Sequence, residues 1–310
     1  TSFETLYCNN VNMPTPDYSA DLEIGEPPPE LQEYARQHIG EDPNTKLQAI
    51  YELREMIYGE TLSALYFQTL ESSLVNYYQF KEDNPELFEL YPLDLQNIGD
   101  NGRRLMIYRI ATNYKSANYR IILKRKLSIS GCWDPKVIPV EDLFKATILA
   151  SELGMMEPKN QILGGIAIFD LEDIGTQQAW QITPSVASKI VKMLVSCLPV
   201  TTYAIHVLNH SWLFDKIFNI FKPLLTAQMR SRIYFHGYDT KSLQKYINKD
   251  HLPERYGGTW PDYPYTIWFE SLRKNVGIAK EMISCGYKFR EEELAPDVVR
   301  QLKEEGIAIS

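Results

Sequence analysis

The segment from Gln161 to Leu225 constrains this chain more than any other, because it reads as strand, turn, helix, strand, helix with a place for almost every apolar side chain. GGIAIF is an unbroken apolar run closed by Asp170, the pattern of a strand buried on both faces of a largely parallel sheet. Thr183 and Pro184 read as the N-cap and first residue of a helix, where proline's missing N–H costs nothing. That helix, predicted from Ser185 to Leu198, carries Val186, Ala187, Ile190, Val191, Leu194 and Leu198 at helical spacing, so one face must be buried. Pro199 stops it, and TTYAIHVLN is the next strand of a βαβ crossover. A helix over Ser211 to Phe221 then sets Trp212, Leu213, Phe214, Ile217, Phe218, Ile220 and Phe221 on one wide stripe. By itself the stripe reads as a core helix or as a lid over a ligand cavity.

At 310 residues and 44% hydrophobic, the chain suits one large α/β domain with a smaller appendage. No run of 18 apolar residues occurs and no signal peptide opens the sequence, so a soluble cytoplasmic protein, monomeric, is expected. Cys8, Cys132, Cys197 and Cys285 show no metal or redox spacing, and Cys197 falls on the apolar helix as a small core residue. His206 and His210 are four apart but straddle a strand end, so they would not converge on a metal; none is expected. No nucleophile elbow, P-loop or dinucleotide fingerprint is present, so no catalytic residue, cofactor or enzymatic activity is expected. Asp170 reads as a strand-terminating turn residue.

The net charge of −8 argues against a nucleic-acid partner, yet it is unevenly spread. Between Gln181 and Asp250 nine basic residues face three acids, a surplus of six that leaves −14 for the remainder. A basic segment interleaved with a large apolar helix suits a face that meets anionic membrane. In chain order, residues 1–24 are expected to be disordered, and helices are predicted in GEPPPELQEYARQHIG, in NTKLQAIYELREMIYG with Leu47, Ile50, Leu53 and Ile57 on one face, and over Thr61 to Phe80. GRRLMIYRIA opens the α/β part with a strand. Thr112 to Cys132 holds five basic residues and no acid, and reads as an exposed loop or extra strand outside any ligand site. A helix follows from about Val140 to Met155, and further elements are SRIYFHG, a helix after Asp239, an aromatic-rich helix in YPYTIWFESL and a polar helical tail.

PELF, MIYRIA, WDPK, ASEL, IFDLE, QITPSVA, AIHVLN, IFKPLL, FHG and LPERYGG occur in this order, and together they closely resemble the CRAL-TRIO lipid-transfer family, in its alpha-tocopherol-transfer-protein-like branch. The resemblance implies a helical N-terminal domain over 25–98, a lipid-binding α/β domain over 99–275 and a helical tail over 276–310. A mixed, largely parallel sheet would floor a hydrophobic pocket gated by an amphipathic helix. Carried over residue by residue, Phe144, Thr147, Ser151, Met193, Leu194, Leu198, Ile205, Phe218, Phe221 and Leu225 would bind the ligand. Trp212, Phe214, Ile217, Phe218 and Phe221 would form the lid and dock on membrane, and Lys216, Lys222, Arg230 and Arg232 would meet anionic lipid, phosphoinositides included. The family's basic pair after Pro199 is here Thr201 and Tyr203, which favours charge-driven over headgroup-specific docking. The function this implies is transfer of a tocopherol-like, retinoid-like or other lipid between membranes. The alternative is a phosphoinositide-responsive regulator of trafficking or signalling.

Overall fold

A computed structural model describes residues 25–58, 68–88, 104–107, 125–129, 135–136, 138–172, 174–198, 202–249, 252–259 and 272–309. The expectations for residues 1–24, for most of the 112–132 stretch and for the helix in YPYTIWFESL lie outside them.

Three strands form a parallel sheet in the order β3 (Gly165–Asp170), β4 (Thr202–Leu208), β5 (Ile233–Gly237). Two further strands, β1 (Arg104–Ile107) and β2 (Arg125–Ile129), pair antiparallel, with β1 running beside β3. The basic stretch therefore contributes an extra strand at its C-terminal end.

Parallel registration decides which side chains share a face. Ile168, His206 and Tyr234 lie abreast, as do Phe169, Val207 and Phe235, and Ala167, Ile205 and Ile233. On the back face Ile166, Ile168, Ala204 and Leu208 are buried with Leu243, Ile247, Leu252 and Tyr256. Tyr256, from the LPERYGG turn, donates its hydroxyl to Asp170 at 2.7 Å, and Asn209 Nδ2 donates to the same carboxylate at 2.8 Å. Asp170 thus ties the end of β3 to both. Gly258 closes this turn because a Cβ there would fall 1.9 Å from the Leu252 carbonyl oxygen.

Among the described residues as far as Phe221, the α-helices run in order α1 (Pro29–His38), α2 (Pro43–Tyr58), α3 (Gln68–Asp83), α4 (Val140–Met155), α5 (Pro158–Leu163), α6 (Thr176–Gln181), α7 (Pro184–Val191) and α8 (Trp212–Phe221), and local signals in them work as the sequence suggests. The Thr183 hydroxyl accepts from Val186 N at 3.2 Å and starts α7 (Pro184–Val191), while Ser211 accepts from Leu213 N and starts α8 (Trp212–Phe221). The expected single helix to Leu198 instead loosens into a π-turn over Lys192–Cys197. Met193 and Cys197 of that turn are buried with Phe80, Leu87 and Phe88, so the wider turn aims them at the N-terminal helical layer. Helix α2 (Pro43–Tyr58) forms, but Leu47 on its apolar face is 77% exposed and Ile50 is 37% exposed.

Residues 276–309 supply core rather than appendage. Ile278, Met282, Tyr287, Phe289, Val298 and Leu302 join Leu143, Leu149 and Leu153 of α4 (Val140–Met155) and Ile217 of α8 in one buried cluster. A polar knot fixes the same seam. Glu152 of α4 accepts the hydroxyls of Tyr77 and Tyr287, and Lys81 Nζ stands 3.6 Å away while donating to the Cys285 carbonyl at 2.7 Å. Burial pushes the Glu152 carboxyl up to about 8, opposed by the Tyr287 hydroxyl, and burial also pulls Lys81 down.

The folded state therefore holds a proton on Glu152 that the unfolded chain releases near pH 4.5. This contribution to stability is complete below pH 4.5 and is lost as pH rises through about 8. In urea unfolding at pH 5, 6.5 and 8, Glu152→Gln should flatten the decline that the wild type shows across this window. An unchanged decline would mean that another group produces it.

Candidate functional site

The front face of the sheet is the unusual feature of the fold. Ala167, Phe169, Ile205 and Ile233 are only partly buried and Phe235 is 45% exposed, while Val207, abreast of Phe169 and Phe235, is buried and the back face is closed. A parallel sheet normally has both faces covered, and the unbroken apolar run of β3 predicts that here. Helix α8 meets this face through aromatic rings in contact with it. Phe218 lies edge-on to Phe235 at 5.1 Å between centroids, Phe214 is 5.8 Å from Phe235, and Phe214 and Phe218 stack at 5.8 Å. Ile217 alone of the α8 stripe is fully buried; Phe214, Phe218 and Phe221 are intermediate. Swinging α8 away would thus expose less new apolar surface than a sealed core helix would.

The residues singled out from the sequence fall into three places. Ile205 sits mid-sheet on the open face, with Phe218 above the neighbouring strand. Phe144 and Met193 are buried, and Leu198 half-buried, in a cluster with Phe80 and Phe88, where Phe144 meets Phe80 edge-on at 6.4 Å. Thr147 and Ser151 are buried in α4, the Thr147 hydroxyl donating to the Leu143 carbonyl at 3.0 Å; Leu194 is half-buried in the π-turn, and Leu225 is buried after α8.

Outside the sheet, α8 presents a mixed surface. Trp212 is 66% exposed with Lys216 Nζ 4.9 Å above its ring. Lys222 is exposed, and Arg230 donates to its carbonyl at 3.1 Å. Arg232 is half-buried at the start of β5, its carbonyl accepting from Ile205 N at 2.8 Å. Two other lysines of the basic segment are engaged elsewhere, Lys189 with Glu86 at 3.1 Å and Lys192 with Asp83 at 3.3 Å. One surface residue escaped the sequence reading. Trp180, 81% exposed on α6 (Thr176–Gln181), belongs to a helix packed against α8. A large aromatic at a short helix looks from sequence like core, and only tertiary placement shows otherwise.

The histidines form a second unforeseen feature. His206 pairs with His236 (Nδ1···Nε2 2.8 Å), which in turn bonds the Ser242 hydroxyl, while His210 lies apart among aromatic rings. Burial pulls His206 down to about 4, helped by His236, and burial also lowers His236. The pair is therefore a neutral, hydrogen-bonded clamp between β4 and β5. Parallel pairing brings the two residues together from 30 positions apart.

The candidate site is thus an apolar sheet face only partly covered by an aromatic helix, with cationic and indole side chains outside. The chain belongs to the CRAL/TRIO domain family, whose model matches residues 100–258. It is similar to Clavesin-1 of Xenopus laevis, 28% identical over 263 residues and covering 79% of this chain and 77% of that protein. Clavesin-2 of Homo sapiens is 24% identical over 276 residues, covering 79% and 78%. A solved structure titled Crystal structure of Sfh5 superposes with a TM-score of 0.42 at 14% identity, covering 71% of this chain and 77% of that one.

Ile205→Trp should crowd the face beneath α8 and abolish lipid loading, with the unfolding midpoint showing whether the fold survives. Extraction and mass spectrometry of the purified variant, beside its melting curve, make the check. Normal loading would place the ligand elsewhere.

Proposed function

We propose that the protein takes a hydrophobic small molecule from one membrane, holds it between the sheet and α8, and releases it at another without covalent chemistry. The observation that carries this reading is the set Phe169, Ile205, Ile233 and Phe235, apolar and incompletely covered on one face of a parallel sheet around buried Val207. Covering about 400 Å² of apolar surface with a lipid would stabilise the complex by roughly 10 kcal/mol at about 25 cal/mol/Å², before the losses of association. The ten ligand residues and the tocopherol-transfer-like kinship named from the sequence belong to this proposal, as does α8 as the gate.

Among the described residues no helix is long and apolar enough to cross a membrane, so contact with a bilayer would be made from its surface. Trp212 and Trp180 would sit at the headgroup level, where an amphipathic indole is most at home. Lys216, Lys222 and Arg230 would add attraction of about 1 kcal/mol each to anionic lipid, and Arg232 lies next to Arg230. A bilayer interface accepts the face that α8 would uncover on opening, so opening and docking would be coupled.

Transfer of a fluorescent lipid between vesicles tests this directly. It should accelerate with phosphatidylserine in the acceptor and fall steeply with salt, and Phe218→Asp should slow it far more than it weakens retention of bound lipid. Acceleration by one phosphoinositide, with none from phosphatidylserine at matched surface charge, would favour the regulator reading over charge-driven transfer.

A further inference from the structure

The joint between β4 and α8 is fixed on both sides of a single histidine. Asn209 adopts a left-handed conformation (φ 53°), donates its amide side chain to Asp170 and its backbone N–H to the Gly237 carbonyl at 2.6 Å. Ser211, on the other side, caps α8. His210 between them has its ring 5.8 Å from Phe214 and 5.5 Å from Phe235, the same rings that stand over the open face. Its Nδ1 is shut off from solvent and has no hydrogen-bond partner.

Buried polar atoms almost always find a partner. The unpaired Nε2 of His206 belongs to the back-face clamp, whereas His210 Nδ1 stands where the aromatic gate meets the sheet. We propose that His210 is the polar anchor of the ligand site, and that the ligand is a lipid carrying one hydroxyl on an otherwise apolar body. A hydroxyl both donates and accepts, so it satisfies Nδ1 in either tautomer. The hydroxyl reaches this atom as Phe214 moves, and pairing then rewards a ligand seated under a closed α8. This rests on the reading of the front face as the ligand site and adds the class of ligand.

The test uses two probes of one shape, 1-pyrenedodecanol and 1-dodecylpyrene, each loaded in neutral vesicles and followed by loss of excimer fluorescence on extraction. The wild type should extract the alcohol about tenfold better than the hydrocarbon, the worth of one buried hydrogen bond. His210→Phe should bring the alcohol down to the hydrocarbon's level and leave the hydrocarbon unchanged, and His210→Gln should keep most of the preference. The His210 ring ¹⁵N resonance of the wild type should shift with the alcohol alone, a readout that holds even if the variants fold poorly. Equal extraction of both probes with an unmoved resonance, or a preference that survives in His210→Phe, would overturn the anchor while leaving the pocket standing. Extraction of neither probe would overturn the pocket and the anchor together.

Discussion

Parallel pairing of three short strands is the constraint on which the rest of the molecule depends. Because side chains alternate across a strand and the register aligns residues of one parity, the sequence of β3, β4 and β5 is sorted into two unlike faces. One receives Ile166, Ile168, Leu208 and the LPERYGG turn and closes around them; the other receives Phe169, Ile205 and Phe235 and stays half-open beneath α8. A shift of one residue in β4 would carry His206 to the α8 side and Ile205 into the back core, destroying both.

The strand–helix–strand order of the central segment was legible because its signals are local. An N-cap threonine before proline, an apolar run ending in aspartate and an amphipathic stripe each act over a few residues, and the elements fall where those signals stand. What the sequence concealed is set by contacts between distant residues. The His206–His236 clamp needs the β4–β5 register, the Glu152 knot joins residues 75 and 135 positions apart, and the exposure of Trp180 beside α8 depends on where α6 packs. The predicted burial of β3 on both faces holds in the main, with Ala167 and Phe169 partly buried, whereas the exposure of Phe235 on β5 was not visible in the pattern. Periodicity reports that a face is apolar and says nothing of how closely its cover fits.

The helical layers divide the work of support. Phe80, Leu87 and Phe88 hold the π-turn that follows α7, and the C-terminal segment shares the main core with α4 and Ile217. Polar ties cluster at these seams, while the surface of α8 keeps exposed Lys216, Lys222 and Trp212. Close packing thus surrounds an element whose own aromatic contacts are partial.

The central claim is that the half-open face holds one lipid. Native mass spectrometry of protein purified from a lipid-containing host, with extraction and identification of whatever is bound, tests it most directly. The account predicts a single lipid bound near one to one, its body largely apolar, and a bare protein that reloads from neutral vesicles. Protein that carries nothing and takes up nothing from vesicles of mixed composition would contradict it.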